Sequence, residues 1–150
     1  MKIMQTHSPK ETEACGARLA EYMISHPEVP PFIALFGDLG VGKTAFTRGY
    51  ASVYAPGTLV RSPTFALVNE YKNGKTSLFH FDMYRIENED DLDSIGFYDY
   101  LDRPGVCLVE WSEKIPFALP DRYLRVTIEK IPDGSSDDRN IRIEEVLESC

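Results

Sequence analysis

The sequence predicts a single α/β domain over residues 1–150, with a mixed, mostly parallel central sheet that is flanked by helices. Three observations lead to this prediction. The apolar runs at 32–36 and 106–109 are short and continuous, which is typical of parallel strands covered on both faces. A glycine-rich loop at 37–44 directly follows the first run and leads into a helical pattern. The Asn73-Gly74 pair separates two strand-like segments and favours the tight turn of a β-hairpin.

The individual elements follow from local signals. Ser8 as a capping residue, Pro9 at the first helical position and Glu11 as the partner of the cap predict the start of the first helix. The His26-Pro27 pair predicts its end, because proline disfavours helical backbone at the residue before it. In chain order we expect a helix at 8–26, a strand at 32–36, a helix at 44–54, strands at 65–71 and 76–82, a helical connection at 92–97, and strands at 106–109, 123–128 and 140–143.

The charge and the hydropathy of the chain disfavour two classes of protein, those that bind nucleic acid directly and those that span a membrane. The chain has 16 basic and 24 acidic residues, a net charge of −8, and no stripe of Lys and Arg. Because phosphate contacts supply most of the affinity for nucleic acids, direct binding to RNA or DNA is disfavoured, and a role in nucleic-acid metabolism would run through a partner protein. We expect a cytoplasmic protein without a membrane partner, since no apolar run is long enough to span a bilayer and the N-terminus has no signal-peptide pattern.

Three cysteines, Cys15, Cys107 and Cys150, lie far apart and form no Cys-x-x-Cys pair. None of the three histidines stands at a metal-ligand spacing from them. Cys15 and Cys107 lie in apolar patterns, so we expect both to be small buried hydrophobic residues. Neither a disulfide nor a zinc site is predicted.

The glycine-rich loop carries the strongest chemical signal. Residues 37–44 match the pattern Gly-x-x-x-x-Gly-Lys-[Ser/Thr], which predicts a P-loop NTPase. Glycine lets backbone N–H groups approach a polyphosphate closely, and the start of the following helix directs further N–H groups and its positive dipole end at the same anion. Lys43 would add a charge for the β- and γ-phosphates, and Thr44 a hydroxyl for Mg²⁺. The predicted nucleotide-binding residues of this segment are Gly37, Gly40, Val41, Gly42, Lys43, Thr44 and Ala45.

Magnesium needs further oxygen ligands, usually one or two carboxylates beside water and phosphate. Asp82 and Glu110 each end a buried strand, and ligands of open α/β sheets lie at the carboxyl ends of strands. Spacing alone does not choose between these carboxylates, and either one also fits a plain surface residue at a strand end. The segment Ser62-Pro63-Thr64 is equally open, because it fits both a switch that senses the γ-phosphate and an ordinary Ser-Pro turn.

Four motifs stand in a fixed order along the chain: Gly37 to Thr44, Arg61-Ser62-Pro63-Thr64-Phe65, His80-Phe81-Asp82-Met83-Tyr84-Arg85 and Val109-Glu110-Trp111. In order and spacing they resemble the bacterial TsaE (YjeE) family, the ATPase component of tRNA threonylcarbamoyladenosine (t6A) synthesis. Glu11-Thr12 followed by Gly16 is similar to the family's opening helix, and the resemblance extends to the strands near Ile143. Four ordered motifs are far more specific than a P-loop alone.

The resemblance implies roles that the residues themselves leave open. It implies ATP as the nucleotide and Mg²⁺ as the metal. A basic residue near the nucleotide is also expected, and Arg139 is the close candidate within an otherwise acidic segment. The other implied roles are metal binding by Thr44 and Glu110, catalysis by Asp82 and Glu110, contact with the nucleoside by Thr12, a nucleotide-responsive switch at Ser62, Thr64 and the stretch 82–85, and support of the site and of a partner surface by Trp111.

The resemblance also implies partners. TsaE proteins are weak ATPases alone and join the TsaB–TsaD pair, which transfers a threonylcarbamoyl group to adenosine 37 of tRNA. This chain would therefore meet tRNA only indirectly, and the lack of an obvious arginine finger agrees with slow hydrolysis. Two other classes stay open from the residues: a small-molecule kinase, which usually carries an arginine-rich lid not seen here, and a nucleotide-binding module without turnover.

Overall fold

The structure is a computed structural model that describes residues 2–38, 40–63 and 67–147. Its strands are β1 (Lys2–Thr6), β2 (Phe32–Phe36), β3 (Val68–Asn73), β4 (Thr76–Asp82), β5 (Gly105–Glu110), β6 (Arg122–Lys130) and β7 (Arg139–Leu147). Its helices are α1 (Pro9–Ser25), α2 (Lys43–Tyr54), α3 (Glu89–Ser94) and α4 (Phe97–Leu101). Two short 3₁₀ turns, Ser112–Lys114 and Pro116–Ala118, follow β5.

The strands form one seven-stranded sheet in the order β1-β7-β6-β2-β5-β4-β3. Strands β6, β2, β5 and β4 pair in parallel, whereas β3 joins one end and β7 and β1 the other by antiparallel pairs. Because β1 is antiparallel to β7, which is itself antiparallel to β6, β1 runs in the same direction as the four central strands. The predicted mixed, mostly parallel sheet is confirmed.

Helices cover both faces of the sheet, which explains why β2 is a continuous apolar run. Side chains alternate between the faces of a strand. Ile33 and Leu35 pack with α1 and α2, whereas Phe32 and Ala34 pack with α3, α4 and the turns after β5. None of the four is more than 4% exposed, and burial of each large one stabilises the fold by about 1.5–3 kcal/mol.

Helices α1 and α2 touch each other backbone to backbone. A Cβ on Gly16 would overlap the Phe46 carbonyl oxygen, and a Cβ on Gly49 would overlap the carbonyl oxygen of Glu13. The start of α1 is as predicted, because the Ser8 hydroxyl accepts the backbone N–H of Glu11 at 3.1 Å. Since α2 begins at the glycine-rich loop, this close contact fixes the position of the helix that follows the loop.

The structure differs from the sequence prediction at three places. Strand β1 was not expected, because its five residues are mostly exposed and lie at one edge of the sheet, where they form no apolar pattern. The expected helical connection at 92–97 is instead divided between α3 and α4, because Gly96 adopts a left-handed φ of 71° between them. The predicted strand at 65–71 begins at Val68 in the structure, and residues 65–66 lie outside the described part.

The cysteine prediction is confirmed for the two cysteines that the structure describes. Cys15 and Cys107 are buried and free, and the thiol of Cys15 contacts the Met4 sulfur at 3.0 Å. Cys150 lies outside the described residues. Of the helices in the described ranges, none combines the length and the apolar character that crossing a membrane requires.

Candidate functional site

The glycine-rich loop joins β2 to α2 at the carboxyl end of the central strands. Phe36 ends β2 and Lys43 begins α2, which gives the predicted order of strand, loop and helix. Gly37 and Gly42 have φ angles of 150° and 111°, which residues with side chains rarely adopt. A Cβ on Gly37 would also stand 2.5 Å from the carbonyl oxygen of Ile128, so β6 packs directly against the loop.

Arg139, at the start of β7, forms hydrogen bonds with the backbone of the loop. It is 9% exposed, and its guanidinium donates hydrogen bonds to the carbonyl oxygens of Val41 at 2.7 Å and Gly40 at 3.3 Å. Two further carbonyl oxygens, in the segment 136–138, accept from its remaining nitrogen. In a planar trans peptide the C=O and the following N–H point in opposite directions. Arg139 therefore turns the N–H groups of Val41 and Gly42 away from itself.

The side chain of Lys43 folds back over the loop. Lys43 is only 5% exposed, and its ammonium donates to the carbonyl oxygen of Gly37. The ammonium also lies 3.5 Å from the centre of the Trp111 ring, which is a cation–π contact. Burial lowers the pKa of Lys43, and nearby carboxylates oppose this, with Glu113 and Glu110 the largest contributors. The ammonium is thus held at the loop by a neutral oxygen and an aromatic face.

The two candidate carboxylates lie side by side at the carboxyl ends of β4 and β5. These strands are parallel neighbours, with Asp82 and Glu110 in register, and both residues are buried. One Glu110 oxygen accepts a hydrogen bond from the Thr44 hydroxyl at 3.4 Å, whereas Asp82 accepts the backbone N–H of Tyr84 at 2.9 Å. Burial raises the pKa of Asp82, and the charge of Glu110 raises it further. The structure therefore joins Glu110, but not Asp82, to the first turn of α2.

Sequence analysis gave no role to His80, although that residue opens the third motif, or to Tyr71; both lie behind Glu110. His80 is fully buried, and its Nε2 contacts the second carboxylate oxygen of Glu110. The Nδ1 of His80 lies 3.1 Å from the Tyr71 hydroxyl, which in turn lies 3.2 Å from the carbonyl oxygen of Arg61 and accepts the Arg61 N–H at 3.4 Å. Tyr71 and His80 are diagonal neighbours across the β3–β4 hairpin, so only the strand register brings them together.

A cavity of about 510 Å³ opens beside the loop, with Asp38, Glu113 and the end of β6 among its walls. This volume is typical of sites that bind small molecules. Within the described ranges, no group of three or more His, Cys, Asp or Glu side chains could hold a metal ion. A magnesium site formed by Thr44 and Glu110 would therefore need oxygens from the ligand as well, as magnesium sites beside phosphates usually do.

Comparison with known proteins decides the family. A family model described as "Threonylcarbamoyl adenosine biosynthesis protein TsaE" matches residues 6–141. The chain belongs to the TsaE family. Its membership gives the chain a part in the biosynthesis of threonylcarbamoyladenosine in tRNA, as the four ordered motifs predicted.

Relatives within the TsaE family are similar over most of their length. The tRNA threonylcarbamoyladenosine biosynthesis protein TsaE of Bacillus subtilis (strain 168) is 37% identical over 137 residues, which cover 91% of this chain and 81% of that protein. The TsaE protein of Haemophilus influenzae is 38% identical over 129 residues, covering 85% and 79%. The crystal structure of Bacillus subtilis YdiB superposes with a TM-score of 0.73 at 32% identity, covering 98% of this chain and 86% of that one.

Of the residues to which the TsaE resemblance gives further roles, Thr12 lies beside the loop. Thr12, on the buried face of α1, places its hydroxyl 2.9 Å from that of Thr6 and lies beside Gly42, where a Cβ would stand 3.6 Å from its methyl carbon. Ser62 is exposed in the segment between α2 and β3, and Thr64 lies outside the described residues.

Two more of the predicted residues flank the loop on its other side. Ala45 lies in the first turn of α2 and is half-buried. Trp111 follows Glu110 directly, adopts a left-handed φ of 60°, and packs against Tyr84 with 4.9 Å between ring centres. The Trp111 ring thus lies between the loop lysine and an exposed tyrosine, at the rim of the candidate site.

Proposed function

We propose that this TsaE-family chain is a single ATPase domain that binds ATP and Mg²⁺ at the glycine-rich loop and hydrolyses ATP slowly in the cytoplasm. It would support threonylcarbamoylation of adenosine 37 in tRNA by acting through a TsaB–TsaD complex. One observation carries the proposal: loop amides, an ammonium, a hydroxyl and two buried carboxylates meet at one edge of the sheet. This is the donor set that a magnesium-bound polyphosphate requires.

The chain supplies the anion site from its backbone and from Lys43. Arg139 turns two loop N–H groups away from itself, and α2 begins with unpaired N–H groups of its own. The ammonium already makes a charge-assisted hydrogen bond to the neutral carbonyl of Gly37, but a phosphate oxygen carries a negative charge and adds Coulomb attraction to the bond. Phosphate would therefore draw the Lys43 ammonium off the carbonyl of Gly37 and away from Trp111.

Thr44 and Glu110 would hold Mg²⁺, because the hydroxyl and one carboxylate oxygen already face each other at 3.4 Å. The bound ion would supply positive charge against the phosphate oxygens. Asp82 lies in register with Glu110 and accepts the backbone N–H of Tyr84; it would also accept a hydrogen bond from the attacking water and orient it. The two carboxylates thus take separate roles, one toward the metal and one toward the water.

Slow turnover is part of the proposal. An arginine finger accelerates other P-loop hydrolases by several orders of magnitude. Arg139 contacts the loop here, but its guanidinium already donates to four backbone carbonyl oxygens. The guanidinium therefore maintains loop geometry, which suits a conformational switch better than a fast hydrolase.

The charge of the chain supports a division of labour with its partners. At a net charge of −8, and without a Lys/Arg stripe, this chain is a poor direct ligand for tRNA. TsaB and TsaD would carry the tRNA chemistry, and the nucleotide state of this chain would control its association with them.

The test is a pull-down of purified TsaB and TsaD with this chain in the presence of Mg-ATP, Mg-ADP or no nucleotide. We expect capture to depend on the nucleotide, to be lost in Lys43→Ala, and to persist in Lys75→Ala, which removes an exposed lysine at the β3–β4 turn. Calorimetry with Mg-ATP accompanies each variant. Equal capture without nucleotide would overturn the switch, and absence of ATP binding by the wild-type chain would overturn the whole proposal.

A further inference from the structure

We propose that His80 and Tyr71 are positioning residues that hold the Glu110 carboxylate toward Thr44 and connect it to the backbone at Arg61. The inference rests on the proposed function, because it concerns the carboxylate that would bind Mg²⁺. Neither residue has a role in the phosphate-loop motif or at the carboxyl ends of the strands.

The two oxygens of Glu110 have different partners, which fixes the orientation of the carboxylate. Oε1 accepts from the Thr44 hydroxyl at 3.4 Å, and Oε2 contacts Nε2 of His80. A carboxylate only accepts hydrogen bonds, so the Nε2 of His80 must carry the proton and donate it. His80 has no exposed surface and Glu110 is 4% exposed, so water cannot replace this contact. Without it, the carboxylate would be free to rotate away from Thr44.

Tyr71 fixes the ring of His80 in turn. With the proton on Nε2, a neutral imidazole offers Nδ1 as an acceptor, and the Tyr71 hydroxyl lies 3.1 Å from that atom. The Tyr71 hydroxyl has one proton to donate, and Nδ1 competes for it with the carbonyl oxygen of Arg61 at 3.2 Å; the relay requires that the proton goes to Nδ1. The same oxygen accepts the backbone N–H of Arg61 at 3.4 Å. A chain of hydrogen bonds therefore runs from the Arg61 backbone through two side chains to Glu110 and Thr44.

The backbone beyond Arg61 is also tied to the second carboxylate. The Leu67 N–H donates to the Pro63 carbonyl oxygen at 2.7 Å, and the Asp82 N–H donates to the Leu67 carbonyl oxygen at 3.0 Å. The segment that follows Arg61 is thus linked to Glu110 through side chains and to Asp82 through backbone. A rotation of Glu110 would therefore disturb the hydrogen bonds at both ends of this connection.

The decisive variant is Tyr71→Phe, which removes one hydroxyl from the relay and leaves the ring in place. Its matched control is Tyr54→Phe, which removes a hydroxyl that is bonded to Thr76 at 2.9 Å, at the opposite end of β4. The measurement is the ATP dissociation constant by calorimetry, with and without saturating Mg²⁺, on the full chain. The quantity compared is the ratio of the ATP dissociation constants without and with Mg²⁺. We expect Tyr71→Phe to reduce this ratio roughly three- to tenfold and Tyr54→Phe to leave it unchanged. The affinity measured without Mg²⁺ should equal the wild-type value in both variants.

Two substitutions of His80 separate positioning from simple packing. In His80→Gln the amide nitrogen stands about where Nε2 does and can still donate to Glu110, whereas in His80→Asn it stands nearer Nδ1 and cannot. We expect the increase in ATP affinity on adding Mg²⁺ to stay within about threefold of the wild-type value in His80→Gln. In His80→Asn that increase should be at least about tenfold smaller. Trp111 fluorescence during Mg-ATP titration provides a second readout, because Trp111 adjoins Glu110.

The possible outcomes separate the two proposals. A wild-type chain whose ATP affinity does not respond to Mg²⁺ would overturn the proposed function, and this inference with it. A normal Mg²⁺ effect in the wild type that persists unchanged in Tyr71→Phe would overturn the relay alone, whether or not the His80 variants fold. An equal loss of the effect in Tyr54→Phe would likewise refute it, because that hydroxyl has no contact with the relay.

Discussion

Replacing Arg139 by alanine tests whether the geometry of the glycine-rich loop is imposed from β7. The substitution removes all four hydrogen bonds of the guanidinium, two of them local and two that reach the loop; the stability change is worked from the loop pair alone, to the carbonyl oxygens of Val41 at 2.7 Å and Gly40 at 3.3 Å. At about 1.5–3 kcal/mol for each, with the longer bond at the low end, we expect the free energy of unfolding to fall by roughly 3–4 kcal/mol. The freed peptide planes can then rotate, so two loop N–H groups lose their alignment, and ATP affinity should fall about tenfold or more.

Urea denaturation measures the stability change, and calorimetry under conditions where the variant is folded measures the affinity. Arg122→Ala is the matched control, because Arg122 pairs with Glu145 at 3.0 Å on the same hairpin but is exposed, and its loss should cost under about 1 kcal/mol. Arg139→Lys keeps the charge but not the planar fork, so it should regain some stability and little affinity. An Arg139→Ala chain that binds ATP as the wild type does would refute the reasoning.

Three further predictions concern the site itself. Lys43→Ala removes the charge-assisted contact to phosphate, so ATP affinity should fall at least about tenfold in calorimetry; an unchanged affinity would contradict the assigned role. Glu110→Ala removes a candidate metal ligand, so single-turnover hydrolysis should slow at least about tenfold, and identical rates would favour a binding module without turnover. Burial raises the pKa of Asp82, so its ionisation destabilises the fold as pH rises through the unfolded-state pKa of about 4. Asp82→Asn should therefore raise Tm at pH 7 but not at pH 3, while slowing hydrolysis; a lower Tm at pH 7 would show that the carboxylate is stabilising.

The parts of the site that local sequence encodes could be predicted. The spacing of glycines in residues 37–44 is a local pattern between a strand and a helix, and the structure has that order. Asp82 and Glu110 each end an apolar run, and parallel strands bring such ends to one edge of a sheet. Spacing did not choose between them; the bond from Thr44 to Glu110, which depends on the distance between α2 and β5, is what favours Glu110 as the proposed metal ligand.

The parts that depend on pairing between distant strands could not be predicted. The resemblance named Arg139 as the candidate basic residue near the nucleotide, but its contacts with the loop carbonyls arise because β7 returns beside β6, which itself packs against Gly37. His80 and Tyr71 meet through the register of the β3–β4 hairpin, although the hairpin turn itself was predicted. Strand β1 was missed for a related reason: it joins the sheet by pairing with β7, so its existence depends on residues at the other end of the chain.

The tight crossing of α1 and α2 determines which parts of the molecule can respond to a ligand. Gly16 and Gly49 leave no space between the two backbones, so α2 cannot slide or turn against α1 without collision. In the relay proposed above, a rearrangement that begins at Thr44 would be expected to pass to the other flank, through Glu110 toward Arg61 and the β3 edge. The side of the domain formed by α1 and α2 is therefore rigid. A partner that recognises the nucleotide state of this chain should bind the opposite side, near β3.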